Sequence, residues 1–185
     1  MDTGIFRLIE SKSIYDNGWI RVDEDSVVRP SGENGIFGVI TMKEGSTVLP
    51  LSDGDEVYLV QEYKYAIASG SIEAMSGGLD ANEDPLACAK RELIEELGIR
   101  AEKWTYLGYV DPFTTLVRSR NHMYLAEGLQ ADSAMNDPDE IVEGLRMPLA
   151  QAVSMVMSGE ITHSASCVLL LKADRLLRAR STQCE

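Results

Sequence analysis

Three glutamates fall within five residues of one short segment: Glu92, Glu95 and Glu96, in a stretch that runs from Pro85 to Leu97. On a helix, Glu92 and Glu96 stand one turn apart on the same face, and Glu95 borders it. Like charges at that spacing repel by a few tenths of a kcal/mol per exposed pair. A hard divalent cation turns that repulsion into a site. Magnesium and manganese favour carboxylate and carbonyl oxygen and are commonly shared with substrate phosphates. Bound there, such an ion polarises phosphoryl oxygens and makes a nucleophile of water. Arg91 precedes Glu95 by four residues and can pair with it. Glu83, from the preceding loop, can face Arg91 or the acidic cluster. Gly77 and Gly78 open that loop and let backbone carbonyls approach the same ion. The plainer reading of any one glutamate pair is a solvated helix face with an ordinary salt bridge. What sets this segment apart is the number of positions constrained at once.

Taken in order, the pattern is Gly77, five residues, Glu83, seven residues, Arg91-Glu92-Leu93, one residue, Glu95-Glu96, one residue, Gly98-Ile99. It resembles the whole signature of the Nudix hydrolases, with every fixed position filled. The resemblance implies an α+β fold, an α/β/α sandwich around a mixed central sheet, preceded here by an N-terminal β-strand segment. It implies hydrolysis of a nucleoside diphosphate linked to another moiety, with Mg2+ as cofactor and Mn2+ as a substitute. Glu92, Glu96 and the carbonyl of Ser76 are then the metal ligands. Glu95 assists the attacking water and Arg91 orients a glutamate. Gly77 and Glu83 support the loop.

The similarity extends from about Tyr15 to Leu171. Trp19-Ile20-Arg21-Val22, Gly35 to Val39, Val57 to Tyr65, Ile72-Glu73 and Asp139 to Glu143 look like the ADP-ribose and ADP-sugar pyrophosphatase branch. By that likeness Lys64 contacts phosphate, as a point charge without arginine's bidentate fork, and Glu73 lies on the substrate side. Glu140 is the first candidate for the base and Glu143 the second. Members of the branch are usually homodimers that exchange N-terminal strands, which suggests residues 1–44 as a dimerisation arm and 45–185 as the hydrolase domain. One loop departs from the branch. Asp111-Pro112-Phe113-Thr114-Thr115-Leu116-Val117-Arg118-Ser119-Arg120 has an early proline and lacks the glycine and acidic residue expected after it. Arg118 and Arg120 stand there as candidates to bind phosphate or a different sugar. The expected reaction converts a nucleoside diphosphate sugar, ADP-ribose or a relative, to a nucleoside monophosphate and a sugar phosphate. The alternatives are another Nudix substrate, such as a dinucleoside polyphosphate or nucleotide coenzyme, and a non-catalytic nucleotide-sensing domain.

These residues need elements to hold them. Alternating apolar and polar residues predict strands at Ile5 to Glu10, Trp19 to Val28, Gly35 to Met42, Thr47 to Leu51 and Val57 to Tyr63, with a short extended piece at Ser71 to Ala74. Asp84-Pro85 is a helix start, Leu86, Ala89, Leu93 and Leu97 form its apolar stripe, and Gly98 stops it. Further strands follow near Trp104 to Val110 and His122 to Glu127. Asp137 to Asp139 reads as a loop and Ile141 to Met147 as extended. Helices follow from Pro148 to Ser158 and from Ser164 to Arg178, then a frayed tail. His122 and His163 take ordinary strand or cap roles. Met155 and Met157, and the aromatics Trp19, Tyr58, Tyr63 and Tyr65, are assigned to the core.

The 185 residues suffice for one well-cored domain. The formal charge of −13 disfavours nucleic acid and anionic membrane as partners. It equally requires local cations wherever phosphate binds. Three scattered cysteines make neither a disulfide framework nor a zinc pair. No apolar run approaches the roughly 20 residues of a membrane span, and no leader is apparent. The expected setting is the cytoplasm.

Overall fold

A computed structural model of the chain describes residues 5–131 and 142–182. Its strands are β1 (Arg7–Asp16), β2 (Ile20–Val28), β3 (Asn34–Met42), β4 (Gly45–Pro50), β5 (Glu56–Lys64), β6 (Ser69–Glu73), β7 (Met75–Gly78), β8 (Ile99–Val110), β9 (Val117–Arg118), β10 (Asn121–Ala131) and β11 (Val142–Pro148). Its helices are α1 (Pro85–Leu97), α2 (Leu149–Ser158) and α3 (Ser164–Ser181). The chain divides into two compact units, Met1–Glu44 with Asp111–Arg120, and Gly45–Val110 with Asn121–Glu185.

The first unit is a four-stranded sheet in the order β1-β2-β3-β9. Its first turn is set locally. The Asn17 side chain accepts from the N–H groups of Trp19 and Ile20, and Gly18 takes a positive φ of 81°. The strands alternate, but much of the apolar set faces outward: Ile9, Ile14, Trp19, Ile36 and Phe37 are exposed.

In the second unit, β7-β4-β10-β8 form a mixed sheet, with β4 and β10 parallel and the outer pairs antiparallel. β11-β5-β6 form an antiparallel one. Alternation along the central strands explains the layering. Leu49, Leu59, Met123 and Leu125 point to one side, into a core closed by Leu149 and Ala152 of α2 and Leu169, Leu170 and Ala173 of α3. Val48, Val60, Tyr124 and Ala126 point to the other, against Ala89 and Leu93 of α1. Both faces of β4 are therefore buried, and its two buried hydroxyls, Ser46 and Thr47, are hydrogen-bonded. This is the α+β arrangement of mixed sheets between helices. Among the described residues no helix is long and apolar enough to cross a membrane.

The differences from the sequence reading are specific. Gly77 and Gly78 lie in β7 rather than in a loop, paired with Ser46 and Gly45. The piece expected at Ser71 to Ala74 is instead the end of β6, and the strand breaks at Ala74 before β7 begins. β8 starts at Ile99, directly after the helix stop, and α3 runs on to Ser181. Trp19, Tyr63, Tyr65 and Met157 are exposed rather than in the core; Trp19 stands in the turn between β1 and β2, and Tyr65 follows the end of β5. The Asp137 to Asp139 loop and the last residues of the tail lie outside the described residues.

Candidate active site

α1 is fixed at both ends before its carboxylates come into play. The Asp84 side chain accepts from Leu86 and Ala87 N–H at 2.9 and 3.3 Å, Pro85 occupies the first turn, and Gly98 closes the helix at φ 60°. Ser46 Oγ on β4 donates to the Pro85 carbonyl at 2.7 Å, which ties the first turn to the sheet. With Ala89 and Leu93 buried against that sheet, the rotation of the helix is set, and so is the face that carries Arg91, Glu92, Glu95 and Glu96.

Arg91 is the hub of that face. Its Nε and Nη2 donate to the two oxygens of Glu83, each at 3.1 Å. Its Nη1 donates to Glu92 Oε1 at 2.6 Å and to Glu95 Oε2 at 3.0 Å, and Nη2 also reaches the Gly78 carbonyl at 3.2 Å. The hydrogen bond to Glu83, with Glu92 and Glu95 nearby, raises the guanidinium pKa further above its ordinary value. In return Arg91, helped by the Asp80 N–H, holds the Glu83 carboxyl below the usual range. Cys88 beneath the cluster is pushed up to about 11 by burial and by Glu92 and Glu83, so it is an inert thiol.

Gly77 lies against Glu92. A Cβ there would overlap the Glu92 carboxylate in its present position, so a larger residue would push that side chain aside. Ser76 precedes it, with its hydroxyl 2.8 Å from Thr47 Oγ1. Two carboxylates one helical turn apart, with a backbone carbonyl on the adjoining strand, are the hard oxygen donors that magnesium takes. The donor set thus fits a divalent ion in chemical type. The side chains are not gathered around one point in this conformation: among the described residues no three histidine, cysteine or acidic groups form a ready cluster, and Glu92 is drawn to Arg91.

Lys64 lies at the end of β5, half-buried, with Glu62 Oε2 at 2.5 Å and Glu73 Oε2 at 3.7 Å. Burial opposes its charge, but Glu62, Glu73 and Glu96 together hold its pKa above the ordinary lysine value. Lys64, Glu73 and Glu96 therefore share one electrostatic neighbourhood. Arg118 and Arg120 belong to the other compact unit. There Arg120 Nε lies 3.8 Å from Asp111 Oδ1, and both arginines line a cavity of about 540 Å³ with Thr41, Glu44 and Asp111. Glu140 lies outside the described residues, and Glu143 is placed only through its backbone, opposite Gln61. Sequence reasoning passed over Glu62, although it stands two residues before Lys64 on the same strand face, which was the available signal. It also gave His163 only a cap role, whereas His163 Nδ1 lies 3.4 Å from Glu73 Oε2.

The family model described as NUDIX domain matches residues 42–168, and that described as nucleoside diphosphate sugar hydrolase N-terminal domain matches residues 6–40. The chain is 27% identical over 163 residues to the ADP-ribose pyrophosphatase of Mycobacterium tuberculosis, covering 86% of this chain and 78% of that protein. It is 31% identical over 157 residues to the GDP-mannose pyrophosphatase of Klebsiella pneumoniae subsp. pneumoniae, covering 80% and 76%. It is 23% identical over 171 residues to the methanol dehydrogenase activator of Bacillus methanolicus, covering 88% and 89%. A crystal structure of an ADP compounds hydrolase shares the fold with a TM-score of 0.84 at 19% identity, over 95% of this chain and 96% of that one. With the signature filled, its helix built and the domain model spanning most of its length, the chain belongs to the Nudix family and is a Nudix pyrophosphohydrolase.

Proposed function

We propose that the protein hydrolyses the diphosphate linkage of a nucleoside diphosphate sugar. Water attacks one phosphorus, the bridging P–O bond breaks, and a nucleoside monophosphate and a sugar phosphate leave. The observation that carries this reading is the arrangement of Arg91, Glu83, Glu92 and Glu95 against the glycine strand, with Lys64 and Glu73 in the same electrostatic neighbourhood as Glu96. Glu92, Glu96 and the Ser76 carbonyl would hold Mg2+, or Mn2+ in its place. Such an ion supplies charge neutralisation at the phosphates and acidifies water. Arg91 holds Glu92 and Glu95 in orientation, and Gly77 keeps the strand close enough for the Ser76 carbonyl to take part. Glu95 accepts the proton of the attacking water, with Glu140 as the second candidate for that task. Lys64 provides the positive charge that a diphosphate needs on a chain of net −13. Arg118 and Arg120 are kept as candidates to bind phosphate or sugar at the cavity of their own unit.

The likeness of residues 6–40 to a nucleoside diphosphate sugar hydrolase N-terminal domain supports the choice of substrate class. So do the relatives named for ADP-ribose and GDP-mannose. We assign residues 1–44 as an arm and 45–185 as the hydrolase domain, and a homodimer built through the arm. The exposed apolar side chains of the first sheet favour this, since association would bury them. Light scattering checks it, and a monomer would remove the exchanged arm. The reaction is tested with a panel of nucleoside diphosphate sugars and Mg2+, read as phosphate released after phosphatase treatment of the products. Turnover of ADP-ribose, GDP-mannose or a relative is expected. No turnover across the panel, with turnover of a dinucleoside polyphosphate, would overturn the reading.

A further inference from the structure

Glu73 ends β6 in one sheet and Met75 opens β7 in the other, so the chain changes sheets at Ala74. Such a residue sits between two ladders, and Ala74 is fully buried. A buried amide without a partner carries a penalty comparable to a lost hydrogen bond. Its N–H is met from far along the chain: it donates to Ser166 Oγ of α3 at 2.9 Å. On the other side, the Ala74 carbonyl accepts from the Ser76 hydroxyl at 3.0 Å.

Ser166 is itself fully buried. Its oxygen also lies 2.8 Å from His163 Nδ1, so a hydrogen bond joins the two side chains. The same Nδ1 lies 3.4 Å from Glu73 Oε2, and Lys64 Nζ lies 3.7 Å from that oxygen. The first turn of α3 therefore touches the crossing at Ala74 and the residue just before it.

We propose that Ser166, oriented by His163, is a positioning residue for the active site. It pins the crossing at Ala74 and so sets the Ser76 carbonyl and Gly77 against Glu92 and Glu96 on one side, and Glu73 beside Lys64 on the other. The inference rests on the assignment of Ser76, Glu92 and Glu96 as metal ligands. Magnesium and its analogues tolerate little error in ligand position. Loss of the Ser166 hydroxyl lets β7 shift by tenths of an ångström and weakens the ion without touching any ligand.

The test is Mn2+ binding to the metal-free full chain, followed by electron paramagnetic resonance, for the parent, Glu96→Gln, Ser166→Ala, Ser166→Thr and His163→Ala. Ser166→Ala is expected to raise the Mn2+ dissociation constant about tenfold. Ser166→Thr, which keeps the hydroxyl, is expected to bind as the parent does, and His163→Ala to show a smaller loss. A folded Ser166→Ala that binds Mn2+ as tightly as the parent overturns the proposal, as does a threonine variant no better than alanine. Should Ser166→Ala not fold, parent affinity in His163→Ala overturns it instead. Glu96→Gln separates the two layers. If it binds Mn2+ like the parent, the metal assignment itself is wrong; if it does not, while Ser166→Ala does, only the brace is wrong.

Discussion

Arg91 and Ser166 each tie polar groups together through one side chain, but the chain brings their partners by different routes. The carboxylates on Arg91, Glu83, Glu92 and Glu95, lie within eight residues of it. The amide on Ser166 comes from 92 residues away. The first group is assembled by helix periodicity and an N-terminal cap. The second is assembled by the point where a strand changes sheets and by the helix that backs it. A group made by local periodicity is visible in spacing and can carry much charge, because its own arginine offsets part of it. A group made by topology is invisible in spacing, and here it is nearly neutral: a hydroxyl, an amide and an imidazole.

If the helical group carries the chemistry and the crossing only places it, the largest effect belongs on α1. Glu96→Gln keeps the size of the side chain and removes its charge. The expected loss is about 10³-fold in kcat at saturating Mg2+, corresponding to roughly 4 kcal/mol of transition-state stabilisation. The thermal midpoint of the metal-free protein should hold or rise, since a like-charge neighbour of Glu92 is removed. Initial rates and a thermal melt check both. Activity within tenfold of the parent would place the chemistry elsewhere and dissolve the contrast between the two regions.

Arg91→Lys is the next step down. Lysine keeps the charge but cannot donate to both oxygens of Glu83 while also bridging Glu92 and Glu95. A fall of about 10- to 100-fold in kcat is expected, the scale seen when a group that orients a metal ligand is altered. Added Mg2+ should recover much of the lost thermal stability, because the cation takes over part of the neutralisation. Unchanged kinetics would mean that the bridge is a surface feature of α1 and not an orienting device.

Much of this was legible beforehand, and the reasons are physical. α1 could be bounded because Asp84, Pro85 and Gly98 each have a backbone role that few other residues fill. In the first unit β2 and β3 were legible as strands, since period-two alternation depends only on the residues themselves, whereas β1 runs on to Asp16 past the expected end at Glu10 and β9 was not read. Side-chain exposure was not legible, because alternation shows that two faces differ and not what covers either: Trp19 is 75% exposed. Tyr65, 93% exposed beyond the end of β5, fails for the same reason. The break at Ala74 was hidden because Ser-Ile-Glu-Ala-Met-Ser is plausible as one extended run, and only the two sheets on either side divide it. Gly77 was read as letting backbone carbonyls approach an ion from a loop; it stands instead in β7, with the Glu92 carboxylate where its Cβ would be. The likeness of residues 57–65 to a family segment singled out Lys64, but not Glu62, which holds it in place.

The smallest expected effect is on stability, and it tests whether the crossing is the neutral device described. Desolvation by burial lowers the His163 pKa below its ordinary value; Glu73 opposes that shift and Lys64 reinforces it. In the folded state the imidazole is therefore neutral where the unfolded chain's histidine, titrating near 6.5, begins to take a proton. As pH falls through that range the unfolded state binds more protons than the folded one, so stability must fall with it, and the loss levels off once the folded histidine is also protonated. Above pH 7 the residue contributes no slope. The urea midpoint of the parent should therefore drop further between pH 7.5 and 5.5 than that of His163→Gln, whose amide cannot titrate, while carboxylates elsewhere affect both proteins alike. An equal drop in the two would mean that His163 is protonated as readily folded as unfolded. The imidazole would then face Glu73 as a charged group, and the crossing would be held by charge, as α1 is, rather than by a neutral hydrogen-bond chain.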